Sequence, residues 1–161
     1  MENEQENEFV SIISLKTITT DNIFFTDKTN NIIMDGTFMK IIYSTDYASY
    51  NGIYVEAPFV ISEYDMEKKE LKYNPYLENN RNLVDFFSKL EEDLMWLYAA
   101  KYQIQKTRQY CLRGQLINGF FRIRSLYSTY MESSPQFILK ISGIWETEAT
   151  FGISYKIMVK S

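Results

Sequence analysis

The chain contains no histidine. The commonest general base and the commonest transition-metal ligand are thereby missing, and with them most acid–base and zinc chemistry. It has one cysteine, Cys111, so no intramolecular disulfide can form, in keeping with an intracellular, reducing compartment. With no histidine to activate it, Cys111 is expected to be a small half-buried thiol and not a nucleophile. The three prolines and six glycines are dispersed. Neither a phosphate-cradling glycine loop nor a flexible linker is present. Apolar runs fall well short of the ~18–20 residues of a transmembrane helix, and the acidic N-terminus is unlike a secretory signal. The expectation is a soluble protein with no membrane partner, no metal or other cofactor and no catalytic activity.

What is present is unevenly distributed charge. Residues 1–94 hold 8 Lys/Arg against 18 Asp/Glu, residues 95–131 hold 6 against 0, and residues 132–161 hold 3 against 3. The whole-chain charge of −4 therefore hides a segment of +6, which can meet a polyanion with a local field of its own. Aromatics are interleaved with those cations: Trp96, Tyr98, Tyr102, Tyr110, Phe120, Phe121, Tyr127 and Tyr130. Single-stranded nucleic acid is bound by that mixture of phosphate-tracking cations and stacking rings.

At 161 residues the chain suits one domain with its own core. Residues 1–8 carry four carboxylates and no core residue, and are expected as a disordered acidic tail ahead of a single domain over 9–161. β-branched residues from Phe9 to Ile18 predict a first strand, and Asn22–Thr26 a short second strand or an extended turn. Asp35-Gly36 predicts a hairpin corner. In the strand that follows, Phe38, Lys40 and Ile42 share one side, and Met39, Ile41 and Tyr43 the other. Gly52–Ile61 predicts another strand, bent or at an edge at Pro58, and 64–80 a loop or hairpin. From Leu83 the period changes. Leu83, Phe87, Leu90, Leu94 and Leu97 form one helical stripe, with Asn82 as N-cap and an end near Thr107. The carboxylates of Glu63-Tyr64-Asp65 and Glu91-Glu92-Asp93 point in divergent directions and are expected on the solvated surface.

Phe120–Leu126 predicts a further strand and 136–159 a hairpin with its turn at Glu146–Thr150. The fold class expected is mainly β with one long helix (α+β), an OB-fold-like Greek-key barrel with the helix between strands 3 and 4. In the Phe120 strand, alternation sends Phe121 and Ile123 to one side and Phe120, Arg122 and Arg124 to the other. Two unpaired guanidinium groups cannot be buried cheaply, so the Phe120 side is expected to face water. The candidate phosphate contacts are Lys106, Arg108, Arg113, Arg122 and Arg124, then Lys40; the candidate stacking residues are Phe120, Tyr110, Tyr54 and Phe38, the last two being equally credible as barrel core.

Three stretches carry a family resemblance: Asp35-Gly36-Thr37-Phe38 leading to Tyr43, Gly52-Ile53-Tyr54-Val55-Glu56-Ala57-Pro58, and Phe137 to Thr147 running on through Phe151-Gly152-Ile153-Ser154-Tyr155-Lys156. With the helix between them they resemble the single-stranded-DNA-binding proteins of nucleo-cytoplasmic large DNA viruses, which are similar to the short replication proteins of podoviruses. The resemblance implies an OB-fold, sequence-tolerant binding of single-stranded DNA (RNA being the alternative), replication proteins as further partners and a role in viral DNA replication or recombination. One departure is clear. The podovirus-type proteins end in an acidic tail, whereas this chain ends Lys156-Ile157-Met158-Val159-Lys160-Ser161 and carries its acidic run, Glu2, Glu4, Glu6 and Glu8, at the other terminus. The competing expectation is a structural or assembly protein, or a homo-oligomer, whose aromatic and basic surface meets protein.

Overall fold

Two alternating strands, Thr37–Ser44 and Gln136–Glu146, organise the molecule. The computed structural model describes residues 18–31, 35–65, 67–123 and 136–160. The expected acidic tail, all but the last residue of the expected first strand, Arg124 and the far end of the Phe120 strand lie outside them. After a 3-10 turn at Thr20–Asn22, the elements are β1 (Ile23–Phe25), β2 (Thr29–Asn30), β3 (Thr37–Ser44), β4 (Ser49–Tyr50), β5 (Ile53–Glu56), β6 (Glu63–Asp65) and β7 (Glu70–Lys72). Next come α1 (Glu78–Tyr102), β8 (Thr107–Arg108), α2 (Cys111–Ile117), β9 (Phe120–Arg122), β10 (Gln136–Glu146) and β11 (Thr150–Lys160).

The larger sheet runs β1-β3-β10-β11-β8, with β2 and β4 on β3 and β5 on β10. Strand β10 is the hub. Its Ile138–Ile141 half pairs with β5 and its Gly143–Glu146 half with β3, so the same edge serves two neighbours and the sheet curls into half a barrel. The fold is therefore mainly β, with a long helix between strands. A register shift between Ile141 and Gly143 lets this work. The core-facing side chains are Phe137, Leu139 and Ile141 before the bulge and Ile144 and Glu146 after it. Without the extra residue, alternation would send Lys140 inward, because one step of slip reverses every side chain.

The expected alternation in β3 is found: Met39, Ile41 and Tyr43 are buried, while Lys40 is exposed and Phe38 and Ile42 are half-buried. Strand β5 is shorter than expected and stops at Glu56, before Pro58. The chain beyond cannot continue the ladder through a proline. Helix α1 satisfies it instead: Asn80, fully buried, accepts from the Val60 N–H (2.8 Å) and donates to Val60 O (3.1 Å) and Asn74 O (3.0 Å), and Asn79 Nδ2 donates to Pro58 O (3.0 Å).

That use of Asn79 and Asn80 corrects the expected helix start. The helix begins at Glu78, before Asn82, which lies inside it. It also ends earlier than Thr107. Gln103 takes the left-handed conformation (φ 54°), and Ala99 O receives the N–H groups of both Gln103 and Ile104, a hydrogen-bonded stop of the Schellman type. The stripe holds: Leu83, Phe87, Leu90 and Leu94 are buried and Leu97 half-buried, each full burial contributing roughly 1.5–3 kcal/mol.

A second sheet, β6-β7-β9, is separate from the first. The 64–80 region thus contains a hairpin, and the Phe120 strand belongs to this small sheet and not to the barrel wall. Phe121 and Ile123 are buried as alternation required, with the Phe121 ring 5.7, 5.6 and 5.5 Å from Phe59, Tyr73 and Phe137. Glu91 corrects the surface expectation. It is fully buried, and its carboxylate accepts from the backbone N–H of Leu112 (2.8 Å) and Arg113 (2.9 Å), which tethers the first turn of α2 to α1. Burial raises its pKa, partly offset by those two hydrogen bonds and by the Arg113 charge. Among the described residues no helix is long and apolar enough to cross a membrane.

Candidate nucleic-acid interface

Among the described residues, the cations of the acid-free window are spread over α1, β8, α2, β9 and the turn before β8. Lys106 is already committed: its ammonium lies 2.9 Å from Glu146 Oε1 and donates to Thr147 O at 2.7 Å. Lys101 sits over the rings of Phe25 (5.9 Å) and Tyr102 (5.6 Å). Arg113 lines a groove between the two helices with Arg81, Asp85, Lys89 and Glu92, where both signs of charge mix. Arg108 is exposed on the short edge strand β8, and Tyr110 is half-buried against the core at the start of α2. Of the window's aromatics, Tyr98 is buried and Trp96 is 62% exposed.

A denser cluster lies on the outer face of the large sheet. Strand registers set its rows. Thr29, Phe38, Trp145 and Gly152 are successive cross-strand partners on β2, β3, β10 and β11. Lys40, Gly143 and Ser154 form the neighbouring row, and Tyr54, Lys140 and Lys156 another on β5, β10 and β11. Two glycines make room for the rings. A Cβ at Gly143 would meet Phe38 Cζ at 2.6 Å, and one at Gly152 would meet Trp145 Cζ2 at 2.7 Å. Each aromatic therefore lies down over the adjacent strand. Trp145 is fixed there by its Nε1–H donating to Ile153 O at 3.2 Å.

Lys140 and Lys156 stand directly opposite each other. Like charges in that relation are destabilising by a few tenths of a kcal/mol, and neither has an ion-pair partner among the described residues. Lys140 Nζ lies 5.0 Å from the centre of the Tyr54 ring, which it covers. Tyr54 is buried in consequence, and supports Lys140 instead of offering an open stacking platform. Phe38 and Lys40 do lie on this face, half-buried and exposed respectively. Lys140, Lys156 and Trp145 were not among the candidate residues expected from the sequence.

The remaining expected residues gather at a recess of about 430 Å³ between β9 and β11, lined by Gln115, Phe120, Phe121, Arg122, Tyr155, Lys156 and Ile157. Phe120 is half-buried there and the Arg122 side chain is 73% exposed, with Nε 3.7 Å from Glu70 Oε2. Lys156 borders both the recess and the outer sheet face.

Two other clusters are structural. Glu146, at 5% exposure, accepts from Tyr98 Oη (2.7 Å) and is salt-bridged to Lys28 and Lys106, each at 2.9 Å. Burial alone would raise its pKa; the hydrogen bonds from Lys28, Tyr98 and Lys106 overcome this and hold it at about 2. The Cys111 thiol is pushed up by burial and then by the nearby Glu91 charge, which favours its protonated form. No cluster of His, Cys, Asp or Glu able to hold a metal occurs among the described residues. No protein-family model, curated protein or solved structure matches the chain.

Proposed function

We propose that this is a non-catalytic, OB-like single-stranded-DNA-binding protein whose contact surface is the outer face of the large sheet. The observation that carries the reading is the Lys140–Lys156 pair, without an ion-pair partner among the described residues, on the same sheet face as Trp145 and Phe38 and two rows along from them. Lys140, Lys156 and Lys40 supply charge for phosphates, while the two rings, held over glycines, supply π-faces for bases. Stacking of this kind contributes about 1–3 kcal/mol per base and tolerates any sequence. The curl of the sheet and the helix between its strands suit an OB-like barrel. A place in viral DNA replication or recombination is what the family resemblance adds.

The test is quenching of tryptophan fluorescence by a dT oligomer across a salt series. Binding that weakens linearly in log affinity against log salt is expected. An assembly role has its own supporting observation, the exposed Tyr76 and Trp96, and would give self-association or protein contacts with little salt dependence; finding that, and no quenching at low salt, rejects the DNA reading.

A further inference from the structure

The recess between β9 and β11 is flanked by two strand edges that no described strand occupies. β9 uses one edge for β7: Gly119 O accepts from Tyr73 N–H, and Ile123 N–H donates to Lys69 O. Alternation therefore turns the backbone groups of Phe120 and Arg122 the other way, toward the recess. Gln115 Nε2 donates to Phe120 O at 2.7 Å, which holds the amide at the recess wall with its own carbonyl oxygen free to accept. On the far side, β11 pairs with β8 only at Thr150 and Phe151. Phe151 O accepts from Gln109 N–H, so alternation turns the backbone groups of Ile153, Tyr155 and Ile157 the same way, away from β10; Ile153 O is taken by the Trp145 indole, which leaves those of Tyr155 and Ile157 at the recess. Beyond Phe151 that edge meets the recess.

We propose that this recess receives one nucleobase of a strand lying on the sheet face, with Lys156 as the shared boundary. The inference rests on the DNA-binding reading and adds a subsite to it. A volume of about 430 Å³ is in the range of small-ligand pockets and takes one nucleotide, not a run of stacked bases. Phe120 offers the ring for stacking. The Gln115 carbonyl and the outward backbone groups of β9 and β11 offer acceptors and donors to a base edge. Arg122 and Lys156 stand at the rim where the flanking phosphates must pass, and the Glu70 contact at 3.7 Å engages Nε alone. The sheet face then binds any sequence, while this position alone can distinguish one base from another, since only hydrogen bonds to base edges carry sequence information.

The experiment is to titrate thymidine 5′-monophosphate, and inorganic phosphate separately, into ¹⁵N-labelled full-length protein while following the Gln115 side-chain amide. The affinity of a dT decamer is measured alongside by fluorescence anisotropy. The nucleotide should shift the Gln115 signal and phosphate alone should not. Phe120→Ala should abolish that shift and weaken the decamer about tenfold, the equivalent of one lost stack, and Phe120→Leu serves if the alanine variant unfolds. Decamer binding with an unmoved Gln115 amide overturns the subsite and leaves the sheet-face reading standing. Loss of decamer binding in the wild-type protein overturns both.

Discussion

Lys106 Nζ lies 2.9 Å from Glu146 Oε1. The pair joins the turn after α1 to the end of β10, and Lys28 reaches the other carboxylate oxygen from the segment after β1. One buried anion thus ties together three parts of the chain. It also draws the cation at the centre of the basic window away from phosphate, because releasing Lys106 would strip the buried Oε1 of its ionic partner and leave only Lys28 and Tyr98 on Oε2.

Glu146 is expected to write its signature on acid unfolding. Its pKa is lowered from 4.5 to about 2, so its stabilising contribution is complete above pH ~4.5 and is lost as the pH falls toward 2, when the unfolded chain takes up the proton first. A depression of that size corresponds to roughly 3 kcal/mol. Glu146→Gln should lower stability by about that much at pH 7, measured by urea denaturation, and the two proteins should converge between pH 4.5 and 2. Parallel curves throughout that window would show that the cluster contributes nothing through ionisation.

Phe120 and Phe121 separate binding from folding. Phe121→Ala removes a ring from the junction with Phe59, Tyr73 and Phe137 and should cost ~3–5 kcal/mol of stability. Phe120→Ala, at a half-buried position, should cost less than about 1 kcal/mol. Thermal unfolding of the two variants decides the register; equal losses would mean that both rings serve the core.

Elements with a repeating apolar pattern were legible. The α1 stripe, the two faces of β3 and the inward Phe121 all follow from period alone. The β10 bulge was hidden in plain letters: the core-facing residues sit at odd positions through Ile141 and switch parity at Ile144, but the apolar Ile138 blurs the pattern, and the change is readable only once both partners of β10 are known. Asn80, within a stretch expected as a loop or hairpin, and Glu91, expected at the surface, are buried for a different reason. Each is a polar residue whose burial depends on backbone groups brought to it by distant segments, Val60 for one and Leu112 for the other. Charge density likewise pointed to the window between Met95 and Met131, but folding spreads its described cations over separate elements, while two lysines without an ion-pair partner among the described residues face each other in the last hairpin. Residue spacing shows which groups are near in sequence; the cross-strand register shows which cannot escape one another.

The ring platform depends on two glycines for space. An ideal Cβ at Gly152 comes within 2.7 Å of Trp145 Cζ2 and 2.8 Å of Gln109 O, and one at Gly143 collides with Met39 O as well as Phe38. Gly152→Ala should therefore push Trp145 outward, shift its fluorescence emission to the red and cost ~1–3 kcal/mol as overpacking. Gly114→Ala is the control, since nothing lies within 4 Å of a Cβ there. At that helical position alanine should add ~0.5–1 kcal/mol. An unshifted Gly152→Ala spectrum would place Trp145 away from the sheet surface.

The lysine pair carries the proposed function and gives its sharpest test. Replacing Lys140 and Lys156 together with alanine removes two like charges held face to face across β10 and β11. In the free protein that relieves repulsion, so stability should stay level or rise by a few tenths of a kcal/mol. On single-stranded DNA each phosphate contact contributes about 0.7 to the slope of log affinity against log salt, so losing two should flatten the slope by about 1.4. Affinity should fall by a similar factor for dT and dA oligomers, because phosphate contacts carry no base information. A variant that folds as well as wild type and binds less steeply with salt is the combination that only a polyanion surface produces. Affinity and slope both unchanged would mean that the pair faces something other than nucleic acid, and would move the search to the aromatic residues exposed around α1.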